Sequence, residues 1–293
     1  MERTQNALSD IERIDWLRLI RTRNVGPHMF IELIDRFGTA AAAIDALPEL
    51  SRRAGGRRKF TIPHRDSIVA EFEALKAAGG TAIGLYEPDY PETLAGIADP
   101  PPVLFLRGDV KMLKRPTVGI VGARNASANG RRFAEDVAGQ LGETGYVVVS
   151  GLARGIDAAA HMGALDTGTV AAIAGGIDVV YPPEHEDLQD RIAATGALVC
   201  EQPVGTRSTA RHFPARNRLI SGLSHGVLVV EAALRSDSLI TSRLALEQRR
   251  DVFAMPGSPR DPRCKGTNDL IRQGAVLTES AADIISALSQ QML

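Results

Sequence analysis

Hydrophobic positions change their spacing near residue 117. From there short, unbroken apolar runs recur: TVGIV (117–121), YVVVS (146–150), VAAIA (170–174), ALVCE (197–201), VLVVE (227–231) and DVFAM (251–255). Stretches of helical periodicity separate most of them, at 130–143, 156–166, 185–195, 217–224 and 239–250. Runs apolar at successive positions, not alternate ones, predict strands buried on both faces, hence a mostly parallel sheet with helices on either side. Right-handed crossovers then put every strand-to-helix loop along one rim. Upstream the period is helical. Leu8, Ile11, Ile14 and residues 17–20 recur at helical spacing, residues 24–27 (NVGP) interrupt the pattern, and further helices are predicted at 29–37, 39–47 and 67–78. Pro88, Pro91 and Pro100 to Pro102 mark extended, punctuated chain. The expected organisation is a small all-α domain over residues 1–82 and an α/β domain over 83–293.

A chain of 293 residues with 44% hydrophobic and 24% charged residues is an ordinary globular protein with room for one large core and a smaller one. Its formal net charge of −1 means that any grip on a polyanion must be a local patch on a neutral body. Cys200 and Cys264 have no paired metal spacing and make no disulfide scaffold. No apolar run approaches a membrane span, and residues 1–10 are too polar and acidic for a signal peptide, so a cytoplasmic protein without membrane contact is expected. The helices flanking residues 24–27 resemble a helix-hairpin-helix or SAM-like module, which offers backbone amides to a nucleic-acid phosphate. A plain αα-hairpin used for packing is the alternative. The basic stretch SRRAGGRRK (51–59) reads as a solvated linker or an added phosphate contact.

The predicted rim is rich in glycine and arginine. Its loops begin GARNAS (122–127), GLARGID (151–157) and GGID (175–178), followed by an arginine-rich loop over 202–218 that contains RSTARHFPARNR. Glycine after a strand lets backbone approach a ligand, and the next helix start offers free N–H groups to an anion. Arg124 and Arg154, with Arg211, Arg216 and Arg218, are therefore the candidate phosphate-binding residues, Gly122 and Gly151 opening their loops and Phe213 supplying a ring for a base. A surface loop tied down by Glu201 or Glu231 is the alternative for the arginine-rich stretch.

Cofactor and catalytic motifs are missing. GARNAS is not G-x-G-x-x-G, and the second strand ends in Ser150 where a dinucleotide site wants an acid. CKGT (264–267) has the wrong order for a P-loop. Asp157 and His161 lie four apart and could pair as acid and base; helix capping by Asp157 and packing of His161 is the structural alternative. No cofactor and no metal are expected.

GIVGARNAS, VVVSGLARGIDAAAHMGAL, GGIDVVYPPEHEDL, FPARNRLISGLSHGVLVVEA, SDSLITSRLALEQRRDVFAMPG and NDLIRQGA, in this order over 119–275, together resemble the DNA-processing protein A family (DprA, also called Smf). The resemblance implies an extended Rossmann-like fold preceded by a SAM-like domain. It implies a non-enzymatic protein that binds single-stranded DNA, protects it and helps load the RecA recombinase in natural transformation, as a homodimer. Carried over by motif, Arg124 contacts phosphate while Gly122 and Ala123 let the backbone approach. Arg211, Phe213, Arg216, Asn217 and Arg218 line the same groove, with helix capping as an alternative role for Asn217.

Two departures stand out. The family's S-G-S-L-I-T is here SDSLIT, which places Asp237 beside the expected anion groove, and E-Q-G-R is EQRR (247–250). Many relatives also carry a small C-terminal winged-helix-like domain, for which the sequence up to Leu293 has no matching stretch beyond an amphipathic helix starting near Ser280. The competing reading is a phosphoribohydrolase-like enzyme, with Glu231 as the acid near the fifth-strand rim, although P-G-G-x-G-T-x-x-E is missing.

Overall fold

The computed structural model describes residues 7–53 and 59–291. The chain divides into two units, one formed by Met1–Tyr90 with Ala98–Phe105 and the other by Pro91–Ile97 with Leu106–Leu293.

The first unit is helical. Helix α1 (Asp10–Ile20) starts at a capping box: Ser9 Oγ accepts from Glu12 N–H, and the Glu12 carboxylate accepts from Ser9 N–H at 2.8 Å. Pro27 opens α2 (Pro27–Phe37), where its missing N–H costs nothing. The turn between them places Asn24 in the left-handed region at φ 70°. Helix α3 (Ala40–Arg53) runs past Pro48 and is longer than its apolar pattern predicts, and α4 (Arg65–Ala77) follows. Leu17, Phe30, Leu47 and Leu75 are fully buried, with Trp16 edge-on to Phe30 at 5.0 Å. Strand β1 (Thr81–Gly84) closes this stretch, and β2 (Val103–Gly108) begins in this unit and ends in the other. Most of the basic 51–59 stretch lies outside the described residues. Arg52 and Arg53, at its start, pair with Glu49.

The second unit is the α/β fold expected. After the short α5 (Glu92–Ala95), its strands are β3 (Thr117–Gly122), β4 (Val147–Ser150), β5 (Thr169–Ala172), β6 (Ala197–Cys200), β7 (Gly226–Val230), β8 (Asp251–Ala254) and β9 (Val276–Leu277). They pair in parallel in the order β6-β5-β4-β3-β7-β8-β9. Strands β4 to β7 are buried at every residue, as sheets covered on both faces require. On one face pack α6 (Ala128–Glu143), α7 (Ile156–Ala164), α8 (Glu186–Thr195) and α12 (Ala281–Gln291). On the other lie α9 (His212–Leu223) and α10 (Asp237–Glu247), and α11 (Lys265–Arg272) packs on β8.

The order in which strands are added to the sheet reverses at β3. The strands run outward from β3 through β4 and β5 to β6, then return to pair β7 with the other edge of β3. Loops leaving β3 and β7 therefore diverge to opposite faces, which opens a crevice at the carboxyl edge of the sheet. Among the described residues no helix is long and apolar enough to cross a membrane.

Candidate nucleic-acid interface

The arginine-rich stretch is not the loop its composition predicts. Its second half is the first turns of α9, beginning at His212 with Arg211 as the N-cap residue. A helix sorts neighbours in sequence onto different faces. Phe213, Arg216, Asn217 and Ile220 recur at i, i+3, i+4 and i+7 and share one face. Arg218 lies roughly 200° around the axis from Arg216 and points away. It pairs there with Glu201, both side chains being largely buried.

Arg216 forms the floor of the crevice. It is only 5% exposed, and its Nη1 donates to the Gly151 carbonyl and, at 2.8 Å, to the Ala172 carbonyl at the ends of β4 and β5. Gly151 is what admits it: a Cβ there would sit 1.9 Å from Arg216 Nη1 and 2.7 Å from Asp157 Oδ2. Asp157, 5% exposed, accepts from Gly151 N–H at 3.2 Å and Ala153 N–H at 3.4 Å. Burial pushes its carboxyl above the ordinary value, and the charge of Arg216 opposes that. Burial likewise draws the Arg216 guanidinium below its usual range, against the pull of Asp157. Two backbone carbonyls and a nearby carboxylate keep this cation charged inside the fold.

Gly122 has an equally local reason. A Cβ there would lie 1.8 Å from the Val230 carbonyl and 2.6 Å from Ile156, so glycine lets β3, β7 and α7 close together. The Ala123 carbonyl accepts from Ile156 N–H at 3.2 Å and tethers the start of α7. Both residues shape the first rim loop through packing.

Above the floor stands a wall of rings and cations. Phe213 lies with its ring centroid 5.4 Å from that of Tyr181, at 52° between planes. The Arg124 guanidinium sits 5.4 Å from the Phe213 centroid and that of Arg216 5.9 Å from it, so one ring meets two cations. Arg124, Leu152, Arg154, Gly175, Tyr181, Ser208, Phe213 and Arg216 line a cleft open to solvent. A second depression adjoins it between Gly122, Arg124, Asp157 and Phe213 and the start of α10 at Asp237, Ser238 and Thr241. Arg124 Nη2 is 2.8 Å from Asp237 Oδ2, and Arg154 Nε pairs with Glu184. The cationic character of the crevice is thus locally compensated.

Asp157 and His161 do not pair. His161 is fully buried, its Nδ1 2.8 Å from Thr169 Oγ1, and desolvation lowers its pKa to about 3. Glu231, at φ 51°, accepts from Ser127 N–H at 2.8 Å and from Ser127 Oγ at 2.5 Å, while Ser127 Oγ accepts from Gly130 N–H at 2.9 Å. Its carboxylate anchors the N-terminus of α6 to the end of β7. Among the described residues no cluster of histidines, cysteines and acids has the geometry of a metal site.

Comparison with known proteins places this architecture. A sequence model described as DNA recombination-mediator protein A matches residues 81–289, and one described as a DprA-like N-terminal HHH domain matches residues 10–74. The chain belongs to the DNA recombination-mediator protein A family. It is 43% identical over 221 residues to the DNA processing protein DprA of Bacillus subtilis, covering 74% of each chain. To that of Streptococcus pneumoniae it is 46% identical over 199 residues, covering 67% of this chain and 70% of the relative. The X-ray structure of DprA from Streptococcus pneumoniae matches with a TM-score of 0.79 at 31% identity, over 96% of this chain and 98% of that one. A structure described as showing the single-stranded DNA binding mode of DprA from Helicobacter pylori matches with a TM-score of 0.65 at 29% identity, over 72% and 96%.

In this chain Arg124, Gly151, Arg154, Phe213 and Arg216 converge on one cleft, with Gly122 and Asn217 beside it. Arg218 does not join them, and Arg211 is exposed at the helix start without lining either depression. Asn217 is no cap: it lies inside α9 and its Nδ2 reaches the Asp237 carbonyl at 3.4 Å. Tyr181 was not singled out from the sequence. It is 45% exposed, and the only textual signal was an aromatic followed by two prolines in the loop after β5. Ser208, Ser238 and Thr241 also join the walls, brought in from loops and helix ends far apart in the chain.

Proposed function

We propose that this protein binds single-stranded DNA in the crevice at the carboxyl edge of β3, β4 and β5, without catalysing a reaction. The observation that carries the reading is the arrangement of Phe213, Tyr181 and Arg124 in one open cleft: rings able to stack on an unpaired base, and a guanidinium within reach of its phosphate. Family membership supports it, and so does the binding mode named for the Helicobacter pylori relative. Gly122, Ala123 and Gly151 shape the pocket, Arg124 and Arg154 face the phosphates, Phe213 meets the base, and Arg216 with Asn217 hold the wall in place. Arg211 flanks the path, exposed at the start of α9, while Arg218 stays on the far side of that helix with Glu201. Protection of the strand, delivery to a RecA-type recombinase during natural transformation, a homodimeric state and a cytoplasmic setting complete the proposal, as does a division of labour between a helical domain over residues 1–82 and a DNA-binding domain over 83–293.

A non-catalytic role accords with how the acids are used. Asp157 is committed to backbone amides and Glu231 to Ser127, so neither stands free to act as the base of a phosphoribohydrolase. Fluorescence anisotropy with labelled single- and double-stranded oligonucleotides at several salt concentrations tests the proposal. Expected are preference for the single strand, little dependence on sequence, and an affinity that falls linearly in log–log against salt. For Arg124→Ala the slope should flatten by about 0.7, the value for one phosphate contact on a single strand. Equal binding of both forms, or an Arg124→Ala isotherm that overlays the wild type, overturns it.

A further inference from the structure

The cation best placed for a phosphate is already occupied. Arg124 Nη2 lies 2.8 Å from Asp237 Oδ2, across 113 residues of sequence, and the same guanidinium rests over the Phe213 ring. Asp237 is the first residue of α10, whose N-cap Ser236 accepts from Ser238 N–H at 3.3 Å, and its backbone carbonyl is held by Asn217 from α9. The carboxylate therefore stands at a fixed place on the wall of the second depression, with Gly122, Arg124, Phe213 and Thr241 around it. It carries the same charge as a phosphodiester oxygen and binds the same donor in the same way. Both partners are about half exposed, so the pair can be opened by a competitor at small cost.

The geometry points to Asp237 as an internal competitor for nucleic-acid phosphate: its carboxylate occupies the Arg124 guanidinium in the free protein and must be displaced when a strand enters. This rests on the single-stranded DNA reading of the cleft. Displacement exchanges one anion for another at Arg124, so little net charge is gained there and the contact discriminates against weakly held ligands. A short or isolated phosphate offers nothing beyond what Asp237 supplies. A strand that also stacks a base on the Phe213 and Tyr181 rings gains enough elsewhere to displace it. The device favours unpaired polynucleotide over free phosphate and over duplex, whose bases cannot reach the ring.

Asp237→Asn removes the charge and keeps the size at an exposed helix start, where folding is readily checked by circular dichroism. Labelled oligo(dT) is titrated against wild type, Asp237→Asn, Arg124→Ala and the double variant, at several salt concentrations. Expected for Asp237→Asn is an affinity gain of about twofold to fivefold, the range of an exposed ion pair, with a log–log salt slope that changes by less than the roughly 0.7 of one contact, because Arg124 meets phosphate in both complexes. In the Arg124→Ala background the same substitution should change affinity by less than about twofold, because the competition has no object. Inorganic phosphate should displace the oligonucleotide from Asp237→Asn at lower concentration than from wild type. Equal affinity for wild type and Asp237→Asn, or the same gain with and without Arg124, overturns the competitor role while leaving the DNA reading intact. Failure of every variant to bind the oligonucleotide overturns both.

Discussion

Arg216→Ala should damage the fold before it damages binding. The guanidinium is 5% exposed and spans the ends of two adjacent strands through the Gly151 and Ala172 carbonyls. Removing it leaves those acceptors unpaired and Asp157 buried without the cation that opposes its desolvation. Breaking a buried charge arrangement by deleting one partner costs about 3–5 kcal/mol. At roughly 2–4 °C per kcal/mol for a unit of this size, the midpoint of thermal unfolding should fall by roughly 6–20 °C. The pH dependence has a definite sign. Burial raises the Asp157 pKa in the folded state above its ordinary 3.8, and Arg216 holds it down. Without Arg216 it rises further, so the folded variant takes up a proton at higher pH than the unfolded chain does. The stability deficit is therefore largest at neutral pH and shrinks as pH falls toward 3.8. Arg216→Lys, which keeps the charge and loses the planar fork, should fall between Arg216→Ala and wild type. Scanning calorimetry of the three proteins between pH 7.5 and pH 4.5 reads all of this. A midpoint for Arg216→Ala within ~2 °C of wild type, or a deficit that widens in acid, refutes the assignment of Arg216 as the structural floor.

Two further expectations test the wall and the core beneath it. Phe213→Ala should weaken single-strand binding by the worth of one stacked base, about 1–3 kcal/mol or roughly fivefold to 150-fold, with an unchanged salt slope; Phe213→Trp should retain binding, and a slope that moves with Phe213→Ala would reassign the ring to an electrostatic role. His161, fully buried with its pKa lowered to about 3, should stay neutral from pH 8 to pH 4.5 in histidine-detected NMR. Because its folded pKa lies below the unfolded 6.5, its burial costs stability as pH falls through that window, and His161→Gln should lessen the acid sensitivity of unfolding; a titration of its ring near pH 6.5 contradicts the packing described.

The strands of the second unit were legible because six of them are uninterrupted apolar runs, a pattern that only two covered faces explain. The turn glycines were legible too, yet their cause was not. Gly122 and Gly151 looked like places where backbone meets a ligand, and each instead makes room for a neighbour: Ile156 and the Val230 carbonyl in one case, the Arg216 guanidinium in the other. Short elements escaped notice. Strand β9 has two residues, too few for any period to register, and the length of α3 is hidden by Pro48. The arginine-rich stretch misled because composition describes a segment and a helix divides it. Arg216 and Arg218, two positions apart, end in a buried floor and an ion pair with Glu201 on the other side.

By itself the sequence determined six strands of the second unit, that they run parallel, that their loops share a rim, and that glycine and arginine crowd it. These follow from local periodicity and from the fixed hand of crossovers, both of which act along the chain. Tertiary structure alone decided which charge meets which. That Arg124 faces Asp237, that Arg154 faces Glu184, that Tyr181 stands beside Phe213 and that Asp157 lies under Arg216 all depend on how α7, α9 and α10 pack on the sheet. Electrostatic energy depends on distances in space between groups tens of residues apart, and no period in the text encodes those.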